Sequence, residues 1–366
     1  MTRMSPTAPL VQRSQEDPVR VILWGLGAMG RLMARMVLAD PDLKLVGAVS
    51  RRVSESRAAG TDIAEVAGLN RPTGIAASPT LAAAVEKAGG AQVVLQATSS
   101  FASECAPELQ ACLEHDLDVV SIAEELAYPW AGNPKLADRL DEAAREAGHT
   151  ILGTGVNPGF VLDTLIIVLT GVTGHVASVY ARRVNDLSPF GPTVMRTQGV
   201  GLSVDQFREK VADGTVVGHI GFPESMHLIA KALGVRLTAI EQTREPIVSK
   251  VRRQTPHVLV EPGYVAGCRH TARGLVGGKV FIELEHPQQV RPEAEGVQTG
   301  DYIKIAGYPD IEIKTAPEIP GGIATAAIAV NMIKPVLEAR PGLLTMLDLP
   351  IPRGSARRAA AVVADG

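Results

Sequence analysis

Aromatic residues are scarce in this chain. Tryptophan, tyrosine and phenylalanine make up 4% of its 366 residues, so any core must be aliphatic. Cysteine is nearly absent: Cys105, Cys112 and Cys268 are the three present. That number excludes a disulfide framework and points to a reduced, cytoplasmic setting. Neither sign of charge is in excess. A formal net charge of −3 offers no electrostatic basis for binding nucleic acid or an anionic membrane. No apolar run reaches transmembrane length; "FVLDTLIIVLTGV" is too short and carries Asp163. The opening "MTRMSPTAPLVQRSQEDP" lacks the apolar segment of a secretory signal. Neither internal repeats nor low-complexity blocks are present. What remains is 46% hydrophobic and 20% charged, an ordinary globular composition long enough for two domains.

Residues 19–155 alternate between short apolar runs and amphipathic helical patterns. "VRVILWGLG", "KLVGAVS", "AQVVLQATSS", "LDVVSIAEE" and "HTILGTG" read as strands. "MGRLMARMVLAD", "PTLAAAVEKAGG", "ECAPELQACLEHD" and "PKLADRLDEAAREAG" read as helices between them. This predicts an α/β fold with a doubly wound parallel sheet covered on both faces. Residues 156–319 change character. Glycine- and proline-rich segments, "EPGYVAGCRH" among them, separate the alternating runs "SVYARRV", "RLTAIEQTRE", "GKVFIELEH" and "DYIKIAGY". They predict a mixed α+β domain for substrate and dimerisation; an apolar sheet with few charges there would suit a homodimer. "GGIATAAIAVNMIKPVLEARPG", within 320–352, is apolar on most of its circumference and predicts a helix returning to the first domain. Residues 1–18 and 353–366 read as tails.

"WGLGAMG" places Gly25, Leu26, Gly27, Ala28, Met29 and Gly30 between a strand and a helix. Gly25 permits a tight turn, Gly27 lets pyrophosphate approach the backbone, and Gly30 lets helix and strand pack closely. The helix N-terminus supplies N–H groups and positive potential. At the end of the second strand, where an NAD site usually carries an acidic residue, stand Ser50, Arg51 and Arg52. A hydroxyl and two guanidiniums suit the 2′-phosphate of NADP(H); as solvated loop residues they would leave NAD(H) possible. Ala97, Thr98 and Ser99 end another strand at the same edge, where ribose and nicotinamide would lie. Glu124 and Glu125 follow the run "VVSIA" there. On an extended backbone they point in opposite directions, so one faces the nicotinamide and the other caps a helix or forms an ion pair. Cys268, His270 and His257 match no strong zinc spacing, and no metal site is expected.

The segments "IAEELAYPW", "GTGVNPGFVLDTLIIVLTG", "RVNDLSPFGPTVMRTQGVG", "VVGHIGFPES", "EIPGGIATAAIAVNM" and "LLTMLDLPIPR" resemble the 2,4-diaminopentanoate dehydrogenases and the native amine dehydrogenases grouped with them. These are distant relatives of dihydrodipicolinate reductase. The resemblance spans about residues 20 to 352. It implies oxidative deamination of an amine to a ketone plus ammonia, and the reverse, with a nicotinamide cofactor in a homodimer. It places the catalytic glutamate in "AEEL", at Glu124, with substrate contacts at Arg183, Asn185 and His219 and with Asn157 near the nicotinamide. Arg183 and Asn185 are two apart on a strand-like run, so they share a face and could hold a carboxylate; ordinary charges on an exposed strand would look the same. Against this reading stand a cyclic-imine reductase and a dinucleotide-binding protein without turnover. The former would favour a cationic acid near the imine, and no such motif is present.

Overall fold

The computed structural model describes residues 17–50, 62–68 and 72–358. Arg51, Arg52 and most of the two expected tails (1–16 and 359–366) lie outside the described residues. The first part of the chain runs β1 (Val19–Trp24), α1 (Ala28–Ala39), β2 (Leu43–Val49), α2 (Ile63–Ala67), α3 (Leu81–Ala88), β3 (Val93–Gln96), α4 (Ala102–Glu114), β4 (Asp118–Ser121), α5 (Pro134–Ala147) and β5 (Thr150–Gly153). The second part runs α6 (Thr164–Thr170), β6 (His175–Asp186), α7 (Pro192–Thr197), α8 (Val204–Ala212), α9 (Phe222–Ala232), β7 (Ala239–Val248), β8 (Arg253–Gln254), β9 (Leu259–Val260), β10 (Val265–Val276), β11 (Lys279–Gln289), β12 (Gly300–Tyr308) and β13 (Ile311–Thr315). The chain then adds α10 (Gly321–Asn331), α11 (Ile333–Leu337) and β14 (Gly342–Leu344). Among the described residues no helix is long and apolar enough to cross a membrane.

The expected doubly wound sheet is present. Its order is β14-β5-β4-β3-β1-β2, with every neighbouring pair parallel. Val21, Ile22 and Leu23 of β1 and Val93, Val94 and Leu95 of β3 are fully buried, because helices cover both faces. Local signals bound those helices. In α5, Asn133 accepts from Leu136 N–H, Pro134 opens the first turn, and Gly148 closes it at φ 78°. From β1 the chain goes to β2 on one side and to β3 on the other. The strand order therefore reverses between β1 and β3, and the crevice outside their carboxyl ends is where such sheets bind ligands.

The second sheet, β13-β12-β6-β11-β10-β7, is antiparallel except for the β6–β11 pair. Its inner face packs Val179, Ala181, Ile282, Leu284, Ile303 and Ile305 against Phe222, Met226 and Ile229 of α9 and Ile166 of α6. The period of two then puts Arg183 and Asn185 on this same buried face, beyond the apolar stretch. The outer face is the charged one. It carries Arg269–Glu285 and Arg273–Glu283 pairs and the Arg182 guanidinium 4.5 Å from the centre of the Tyr302 ring.

The C-terminal segment returns to the first domain, and it brings more than a helix. Ala326, Ala329, Val330, Ile333 and Val336 join one core with Val21, Met33 and Val37, and β14 adds a sixth parallel strand beside β5. Strand β10, helices α8 and α9 and strand β14 are elements that the sequence reading left out. In β10, glycines and charges at Gly267, Arg269 and Arg273 obscure the alternation. Gly267 is needed because a Cβ there would meet Gln288 O at 1.9 Å.

Candidate active site

The glycine loop connects β1 to α1 at the crevice. Gly25 has φ 104°, and a Cβ there would meet Ala97 O at 2.3 Å. At Gly30 a Cβ would lie 1.9 Å from Gly25 O. Gly27 is different: nothing lies within 4 Å of its Cβ position, and no side chain caps the helix that starts there. The backbone therefore presents open space at a free helix N-terminus, which fits a dinucleotide pyrophosphate. This separates two predictions. Gly30→Ala is expected to lower stability by about 1–3 kcal/mol through overpacking and to weaken NADPH binding. Gly27→Val is expected to leave the melting temperature unchanged and to weaken binding alone. Thermal melts and fluorescence titration with NADPH check both.

Leu26 packs into the first core, while Ala28 and Met29 line a cleft of about 1270 Å³ between α1 and the second domain. Asn185, Phe190 and Gly321 lie across it. Ala97, Thr98 and Ser99 follow β3 at the same edge. Thr98 Oγ1 donates to Glu108 at 2.5 Å, and Ser99 Oγ donates to Glu104 at 2.5 Å, so both hydroxyls brace α4. Beneath them Gln96, fully buried, donates to Glu108 at 2.8 Å and accepts from the Ser121 hydroxyl. Ser50 sits where β2 ends, its N–H donating to Ser78 O at 3.1 Å.

Glu124 and Glu125 reach the same edge, beside β3 through the Ile122 N–H to Gln96 O bond of 3.1 Å. The backbone does not stay extended. It closes into a 3₁₀ turn over Glu124–Ala127, which still sends successive side chains about 120° apart. Glu125 Oε2 accepts from Ala102 N–H at 2.8 Å and so caps the N-terminus of α4. Glu124 is left with the Ser100 hydroxyl. Burial pushes the Glu124 carboxyl above its ordinary value and the neighbouring charge of Glu125 adds to this, while its own backbone N–H and Ser100 pull it down.

A third carboxyl, Glu224 of α9, is 4% exposed. Burial, with the charges of Glu125 and Glu124, raises it to about 7. Sequence reading passed over it, although "GFPES" opens a helix with proline in the first turn.

The remaining expected residues meet in one recess. Asn185 Oδ1 lies 3.1 Å from His286 Nε2, and the His219 ring stands edge-on to His286 at 4.8 Å and to Phe222 at 4.7 Å between centroids. The His219 backbone N–H donates to His270 Nδ1 at 3.0 Å. Burial drives the imidazoles toward neutrality, His270 to about 3 and His219 and His286 well below their ordinary value. Asn157 Nδ2 and Oδ1, His219 Nε2 and His286 Nδ1 are buried without a hydrogen-bond partner. Pro158 packs on Gly221, whose Cβ position is 2.4 Å from Pro158 Cδ, which brings Asn157 to the loop that carries His219.

Arg183 needs correction as a carboxylate anchor. It is 2% exposed, and its Nη1 pairs with Asp301 at 2.5 Å while Nη2 donates to Ile319 O at 2.5 Å. A buried guanidinium takes the nearest buried carboxylate, and that carboxylate is internal. Trp130 donates to Asp138 at 2.9 Å and anchors its loop. Asp163 accepts from Gly159 N–H, Thr164 N–H and the Ser225 hydroxyl, tying the start of α6 to α9. The three cysteines are free and buried. Among the described residues no group of three or more His, Cys, Asp or Glu side chains is arranged to hold a metal ion.

Residues 160–365 match the family model of the 2,4-diaminopentanoate dehydrogenase C-terminal domain, and residues 19–122 match that of the dihydrodipicolinate reductase N-terminus. A 2,4-diaminopentanoate dehydrogenase from Acetoanaerobium sticklandii is 45% identical over 342 residues, 92% of this chain and 95% of its own length. The chain belongs to the 2,4-diaminopentanoate dehydrogenase family. Members of this family and the amine dehydrogenases related to it are oxidoreductases acting on CH–NH₂ groups with a nicotinamide dinucleotide. An amine dehydrogenase from Streptomyces virginiae is 25% identical over 351 residues, 91% of this chain and 96% of its own. The structure of an amine dehydrogenase from Mycobacterium smegmatis superposes with a TM-score of 0.81 at 25% identity, covering 93% of this chain and 98% of that one. The glycine loop and the acidic turn each lie on one stretch of chain, while the polar recess draws Asn157, Asn185, His219 and His286 from four others.

Proposed function

We propose that this protein interconverts an amine and a ketone plus ammonia with NADP(H), acting on a 2,4-diamino acid of the 2,4-diaminopentanoate class. The observation that carries the reading is the divided acidic pair. Glu125 is spent on a helix terminus, so Glu124 is the carboxyl left at the crevice beside the glycine loop. Bound at that loop, a nicotinamide dinucleotide takes or delivers the hydride. Glu124 takes a proton from the substrate ammonium, which frees the nitrogen lone pair; once that proton has passed on toward solvent, the restored carboxylate charge stabilises the iminium that forms as hydride leaves the carbon. The same carboxylate positions the water that adds to the iminium, and ammonia leaves from the carbinolamine. The recess of Asn157, Asn185, His219 and His286 receives the polar end of the substrate. Its neutral donors and acceptors suit a zwitterionic amino-acid terminus, with Arg183 holding the floor through Asp301. The test follows NADPH oxidation with ammonia and a panel of ketones that includes 4-oxo amino acids. Ammonia-independent reduction of a cyclic imine, or cofactor binding without turnover, would overturn the reading.

The same proposal includes a preference for NADP(H), a homodimer and a cytoplasmic location. Arg51 and Arg52 come directly after Ser50 in the sequence, and a 2′-phosphate bound beyond the end of β2 needs charged donors. Loss of one such contact is expected to cost about 1.5–3 kcal/mol, so Arg51→Ala and Arg52→Ala are each expected to reduce the NADPH-to-NADH ratio of kcat/KM by about 10- to 150-fold. A wild type that prefers NADH, with a ratio neither change alters, would refute the preference.

A further inference from the structure

Oxidative deamination leaves one proton behind. An amine entering as its ammonium, with oxidised dinucleotide and water, yields ketone, ammonium, reduced dinucleotide and one proton. The carbon is oxidised as it gives up hydride, the nicotinamide is reduced, and the nitrogen proton lost before hydride transfer must reach solvent. Glu124, partly buried in its turn, can accept that proton, yet turnover requires that the carboxyl be emptied again.

Behind it lies Glu224. Helix α9 packs on both short turns, Glu124–Ala127 and Pro129–Ala131. No ion pair among the described residues involves Glu224, although it is 4% exposed. Its Oε1 lies 3.8 Å from the Cβ position of Gly132, and Gly132 is exposed at the surface. Glu224 therefore sits under a residue with no side chain, between the acidic turn and bulk water. The titratable groups around it are few. The acidic turn contributes Glu124 and Glu125, and the Pro129–Ala131 turn contributes none. The cap of helix α6 contributes Asp163, which is spent on Gly159, Thr164 and Ser225. On α9 itself His227 stacks on Tyr128, and Lys231 covers Tyr128 and Trp130.

We propose that Glu224 is the second member of a proton-export pair, receiving from Glu124 the proton taken from the substrate nitrogen and releasing it to solvent beneath Gly132. Glu224 acts through Glu124 and is a positioning residue for the proton, not a catalytic one. A carboxyl that titrates near neutrality is suited to this exchange. The inference rests on the amine dehydrogenase reading given above.

The test is the pH profile of deamination kcat for wild type, Glu224→Gln and Glu224→Asp, with NADP⁺ affinity measured alongside. Glu224→Gln is expected to lose about tenfold in kcat near pH 7, to lose the limb that titrates there, and to bind NADP⁺ within twofold of wild type. Glu224→Asp is expected to recover part of the rate, and added imidazole buffer to speed the Gln variant but not wild type. A Gln variant whose profile superimposes on that of wild type overturns the proposal. So does a uniform loss at every pH with neither Asp nor buffer rescue, which marks Glu224 as structural. A wild type without amine turnover overturns the functional reading and this inference with it; an active wild type confines any failure to Glu224.

Discussion

Glu124→Gln is expected to bind NADP(H) almost normally and to lose on the order of 10²–10⁴-fold in turnover, the range for removal of a general acid–base group. The substitution keeps shape and hydrogen-bonding capacity. It removes the ability to take a proton from the ammonium and the negative charge that faces the iminium. The loss is expected in kcat and in kcat/KM together, because the charge is needed most when the cation forms. Glu125→Gln is the matched control. Its side chain accepts from Ala102 N–H, and a neutral amide oxygen still accepts that bond with a weaker pull from the helix N-terminus. A cost of about 0.3–1 kcal/mol in stability is expected there, with most of the activity retained. Steady-state rates and cofactor titrations on both variants decide the matter. Near-wild-type turnover in Glu124→Gln would remove it from the mechanism, and an inactive Glu125→Gln would reverse the assignment.

Arg183→Ala is expected to lower unfolding free energy by about 3–5 kcal/mol, the cost of leaving one partner of a buried ion pair uncompensated. Asp301 would be the abandoned charge. It is 3% exposed and keeps only neutral donors: the Thr315 hydroxyl at 3.1 Å and Ile319 N–H at 2.8 Å. Those bonds join β12 to the end of β13 and to the segment that leads into α10. Release of Asp301 would therefore loosen the link between the second sheet and the helix that returns to the first domain. Urea denaturation measures the loss. The substrate dependence is as informative. A residue that holds the floor of the recess is expected to reduce activity on simple ketones and on 4-oxo amino acids alike. A selective loss on the charged substrates, with unchanged denaturation midpoint, would restore Arg183 to the role of carboxylate anchor.

The first domain was legible because its signals are local. Alternating apolar strands and capped helices need no distant partner to be recognised, and the three glycines of the loop each have a reason visible within seven residues. The second domain was less so. Strand β10 is buried along most of its length yet contains glycines and arginines that break the alternation. Helix α8 carried a readable signal, the reciprocal capping of Ser203 and Gln206, but its short apolar face gave little periodicity. Strand β14 is three residues long. Only the free edge of β5 makes it a strand.

The sequence by itself determined the dinucleotide-binding half, the acidic pair at the end of its fourth strand and the family to which the chain belongs. Each is written in contiguous residues. Tertiary structure alone showed that Glu125 caps a helix, because Ala102, whose N–H it accepts from, is 23 residues away along the chain. It alone showed that Arg183 is neutralised by Asp301, 118 positions on, and that Glu224 lies behind the acidic turn. Charges are assigned their partners by the packing of elements far apart in sequence, and no spacing along the chain records those encounters.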